Sequence, residues 1–111
     1  MNALRVDAVK LGGVDLTPKF AAINLADSGD LVAAVTGKSI LVLSLSIRLA
    51  SAQTIKFQSG ASSDLSGAMT LTVLDLQPSP TGWMTTVAGA KLNVVLGAAV
   101  QCSGLLTYVE V

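Results

Sequence analysis

Thr36-Gly37-Lys38-Ser39 reproduces the last four letters of a phosphate-binding loop. Such a loop needs a glycine five residues before its Gly-Lys pair, so that backbone N–H groups turn inward. It also needs a helix just after the lysine, whose N-terminus faces the anion. Counting back from Gly37 gives Val32, a β-branched residue that resists positive φ. After Lys38, residues 41, 43, 45, 47 and 49 are all Leu or Ile, with Ser44, Ser46 and Arg48 between them. Period two is the signature of a strand with one buried face. Thr36-Gly37-Lys38 therefore reads as a turn joining two strands.

Other candidates for chemistry fail on their neighbours. Ser62 sits in Gly60-Ala61-Ser62-Ser63-Asp64, where a nucleophile elbow would have a second glycine in place of Asp64 and a helix beyond it. The chain has no histidine, which removes the usual general base, the commonest zinc ligand and the Ser-His and Cys-His couples. Asp27, Asp30, Asp64 and Asp75 lack calcium-loop spacing, and Asp27 and Asp30 suit a tight turn. Glu110, the sole glutamate, reads as an outward residue on an edge strand. Cys102 is the single cysteine and reads as a small buried hydrophobe. Trp83, the sole tryptophan, reads as a partly buried residue after a turn. The expectation is a protein that is not an enzyme, with no catalytic residue, no cofactor and no metal centre.

Composition points the same way. Seven basic and seven acidic residues cancel in a chain of 111 residues, and no basic run or aromatic series marks a nucleic-acid interface. The apolar share is 51%, high for a small soluble monomer, so part of that surface is expected to face another subunit or partner. The longest apolar run, residues 40–49, is broken by two serines and an arginine and falls short of a membrane-spanning helix. The opening residues lack the continuous apolar stretch of a secretory signal, so the expectation is synthesis inside the cell and no membrane partner.

The elements that must position these residues are strands. Residues 1–17 carry Gly12-Gly13 and no firm alternation, and read as an N-terminal arm or weak first strand. Residues 18–111 read as one all-β domain of about eight strands, a sandwich or barrel. Strands are predicted over residues 19–26, 31–35, 39–50, 53–59, 69–76, 83–87, 91–96 and 104–111. In the fourth, Ile55 and Phe57 point inward; in the fifth, Met69, Leu71 and Val73 do. The apolar phase changes at Val73-Leu74-Asp75-Leu76, which indicates a bulge, a strand end or outward leucines covered by a neighbour. Pro78 and Pro80 impose a loop after it.

Three stretches, VAAVTGKSILVLS (32–44), IKFQSGASSDLSGAM (55–69) and GLLTYVEV (104–111), resemble small virion proteins of tailed bacteriophages. The resemblance covers about residues 28–111. It implies a jelly-roll-like β-sandwich of antiparallel strands and a head decoration, or cement, protein on the outer surface of the capsid. It also implies a homotrimer, the major capsid protein as partner, and synthesis in the bacterial host cytoplasm. On this reading the arm straps an adjoining capsid subunit. Leu74 and Leu76, which break the inward alternation, and Trp83, which follows an exposed loop, are the expected subunit or capsid contacts. The alternative is a tail-fibre or baseplate module that binds a host saccharide. Such a site wants several exposed aromatics, and Trp83, Tyr108, Phe20 and Phe57 are the entire stock.

Overall fold

Alternating apolar residues, punctuated by glycine and proline, leave little choice but strands, and the computed structural model of residues 9–11 and 14–111 contains ten of them and no helix among the described residues. They are β1 (Val9–Leu11), β2 (Val14–Leu16), β3 (Lys19–Leu25), β4 (Gly29–Val32), β5 (Ile40–Ser59), β6 (Ser63–Asp64), β7 (Met69–Leu76), β8 (Met84–Thr85), β9 (Leu92–Leu96) and β10 (Cys102–Glu110). β1 and β2 pair antiparallel inside the predicted arm, whose residues 1–8 and 12–13 lie outside the described set. The other strands form one antiparallel sheet of eight.

That sheet is organised by β5. Its first half pairs with β10, which in turn pairs with β3, and its second half pairs with β9, which pairs with β4. Its opposite edge is covered in succession by β8, β7 and β6. Residues 49–52 of β5 lie opposite the single residue Thr72 of β7, and this unequal step is where the sheet turns. Side chains of both halves then meet in one core: Ile23, Ile47 and Leu106 from the first, Ile55, Phe57, Leu92 and Val94 from the second. The result is a β-sandwich or barrel-like fold made from one folded sheet.

Residues 39–50 and 53–59, predicted as two strands, are thus one strand of 20 residues. No glycine or proline interrupts residues 50–53, so the chain bends without leaving the sheet. The Thr36-Gly37-Lys38 turn forms as expected: Gly37 has φ 74° and the Lys38 N–H donates to the Val35 carbonyl at 3.0 Å. Leu45, Ile47 and Leu49 point inward as expected, but Leu41 and Leu43 do not join them. The pairing of β5 with β10 slips between Thr107 and Tyr108, leaving Leu43 as an extra residue. This bulge reverses the phase, so Ile40 and Val42 enter the main core, while Leu41 and Leu43 form a second cluster with Val109 and Val111. Glu110 does not stand on an edge strand, because β10 lies between β3 and β5; it pairs with Lys19 at 3.1 Å.

Gly104 marks the tightest point of the sheet. Its φ is 150°, and a Cβ there would fall on the Ser46 carbonyl oxygen across the strand pair.

Candidate interaction surface

The register places the outward side chains of the first half on a grid. One row runs Phe20, Thr107, Ser44; the next Ala22, Leu105, Ser46, Asp75; the third Asn24, Ser103, Arg48, Val73. The rows follow from strict alternation, since each strand spends its other residues on the core. Phe20 is 76% exposed and Leu105 54%, and they are diagonal neighbours across β3 and β10. Large apolar side chains this exposed lose most of the burial that rewards them inside, so their position on one face is a feature to be explained.

The polar corner of the grid is ordered by charge. Ser46 Oγ–H donates to Asp75 Oδ1 at 2.8 Å, and Arg48 Nη1–H donates to the same oxygen at 2.9 Å and to Ser46 Oγ at 3.2 Å. The Arg48 guanidinium, with help from the Ser46 hydroxyl, holds the Asp75 carboxyl below its ordinary value of 3.8. Between the corners lies a depression of about 260 Å³ lined by Ser44, Ser46, Asp75, Gln77, Pro78 and Leu105, together with Leu45 and Leu76. On the other half, the Gln58 amide and the Lys56 ammonium lower the pKa of Asp64 in the same way. A third pair, Lys91 with Asp30 at 2.8 Å, ties the residue just before β9 to β4.

The three residues expected as contacts are placed differently from one another. Leu74 and Leu76 face inward, opposite Ile47 and Leu45, and pack half-buried against the main core. The phase change read from the sequence is real, but the residue it sends outward is Val73, 48% exposed, because β7 contributes only Thr72 to the turn of the sheet. Trp83, read from the sequence as partly buried, is 51% exposed, and its indole N–H donates to the Gln77 carbonyl at 2.6 Å. Leu74, Leu76 and Trp83 do converge, with Phe57, Leu65, Met69 and Met84, around an apolar cleft of about 140 Å³ where the folded sheet gapes beside β7.

Phe20 and Leu105 were missed, although their signal was present. In residues 19–25 the inward phase belongs to Ile23 and Leu25, which leaves Phe20 on the other face. Cys102 is fully buried and burial pushes its thiol pKa up, so it behaves as a hydrophobe and a poor nucleophile. Ser62 is exposed in the turn after β5. Among the described residues no three of Asp, Glu and Cys gather where they could hold a metal ion, and no helix is long and apolar enough to cross a membrane. What the grid offers chemically is a contact surface, with apolar and hydroxyl groups at one side and a fixed ion pair at the other. Compared with known families, with curated proteins and with solved structures, the chain matches none of them.

Proposed function

We propose that this chain is a structural protein of a tailed-bacteriophage particle, a head decoration protein that binds the outer capsid surface as an oligomer and stabilises the shell. The observation that carries the reading is the outward pair Phe20 and Leu105 on one sheet face, in a chain whose sequence resembles small phage virion proteins. A shell-binding protein needs contact area and resistance to unfolding. Exposed aromatic and aliphatic anchors on a rigid sheet supply the first. A main core shared by both halves of the sheet supplies the second.

The test is to add gold-labelled protein to particles lacking it and image them. Label distributed over the head is the expected result. The double variant Phe20→Ser, Leu105→Ser, folded like the parent by circular dichroism, should bind roughly tenfold more weakly. Label confined to the tail would replace this reading with the host-binding module, and particles without label would exclude both.

A further inference from the structure

A sheet with open edges must protect them, and this one protects them unequally. β4 is four residues long, slips register between Asp30 and Val32, and carries the Asp30–Lys91 ion pair. β7 is stepped at Thr72 and carries Asp75 held by Arg48. Short length, irregular register and charge are the usual devices against edge-to-edge pairing. β3 lacks the first two, and its one charge, Lys19, stands at its first residue. It is seven residues long, pairs with β10 in unbroken register, and from Phe20 to Leu25 contains no charge and no proline. Among the described residues nothing pairs with its second edge. Its inward residues also differ along its length: Ile23 is 4% exposed, whereas Ala21 and Leu25 are only partly buried against the core.

We propose that the free edge of β3 is a self-association site, where β3 of a second copy pairs antiparallel across a two-fold axis through Ile23. The strand is complementary to itself in that arrangement. Ala22 lies opposite Asn24 of the second copy, and Ala21 opposite Leu25, so each half-covered inward residue gains an apolar neighbour. Only registers that pair odd residues with odd ones keep inward side chains inward on both copies. With the axis at Ile23, Lys19 lies beside the bend of residues 26–28 of the second copy, which carries Asp27, so one ion pair can form at each end. Lys19 is half exposed and Asp27 exposed, so both reach the neighbour, Lys19 turning to it from Glu110, its partner at 3.1 Å within the chain. The bend of residues 26–28 closes one end of the ladder, and Pro18, which has no N–H to give, closes the other.

The contact is isologous, so it closes at two copies and leaves no unpaired β3 edge. It differs from the threefold grouping that the sequence resemblance implies, and it does not depend on the shell-binding reading. Where that reading holds, pairing sets two outer faces side by side in one continuous sheet, and attachment becomes bivalent.

Sedimentation equilibrium of the full chain at micromolar concentration should give a dimer. Asp27→Lys should weaken it roughly tenfold by setting like charges face to face, and Lys19→Asp combined with Asp27→Lys should restore it. Oxidation of the double variant Ala22→Cys, Asn24→Cys should link two chains, because Cα atoms of directly opposite residues lie within disulfide reach; Ala22→Cys alone should not. All four variants alter exposed side chains, so thermal melts will confirm that each is folded. A monomer, a trimer, or a dimer unmoved by Asp27→Lys would overturn the proposal, and so would efficient linking through Ala22→Cys alone, which moves the axis. Head labelling in the particle assay would stand under any of these outcomes.

Discussion

Leu105 and Leu106 are consecutive in β10, yet one is 54% exposed and the other wholly buried. Leu106 lies opposite Ala21 and Leu45 on the inner face of the sheet, and Leu105 opposite Ala22 and Ser46 on the outer. The same side chain thus meets two environments within one residue's advance. On the inside leucine maintains the fold; on the outside it contributes almost nothing to a solitary molecule, and its value lies in what it meets. The contrast separates residues that hold the protein together from residues free to serve a partner.

The sharpest way to break this comparison is to shorten each leucine in turn. Leu106→Ala should lower stability by about 2–5 kcal/mol, read from urea unfolding, because it opens a cavity in a core that both halves of the sheet share. An intermediate effect belongs to the outer ion pair. Asp75→Asn should lower the melting temperature slightly at neutral pH. The Asp75 carboxyl has its pKa depressed in the folded state, so its contribution is complete above the ordinary value of 3.8 and is lost as pH falls through the lower folded value. The variant and the parent should therefore converge in melting temperature below that range. The smallest effect is expected from Leu105→Ser, within about 0.5 kcal/mol of the parent, as for most surface substitutions. A large loss there would mean that the outer face is part of the core after all.

Much of the inner face was legible in the sequence. Ile55, Phe57, Leu92, Val94 and Leu96 alternate without interruption, and all five are buried. Reading failed where the count was disturbed. Leu41 and Leu43 look continuous with Leu45, Ile47 and Leu49, but the extra residue opposite the Thr107–Tyr108 step is set by pairing with β10, some sixty residues away. Period two reports a face only while the register holds. Leu74 and Leu76 show the same limit: the change of phase was visible, but whether it carried them outward or Val73 depended on the unequal step between β7 and β5. The ion pair of Arg48 with Asp75 joins residues 27 apart in sequence, and no local pattern announces it.

The arrangement around β10 also dictates when the molecule can assemble. β3 is made early, but among the described residues its only ladder partner is β10. During translation the strand must wait, with its apolar residues uncovered, until β10 has been made. Pairings so distant in sequence are slow to close. In that interval the uncovered strand is open to aggregation that the finished sheet no longer permits.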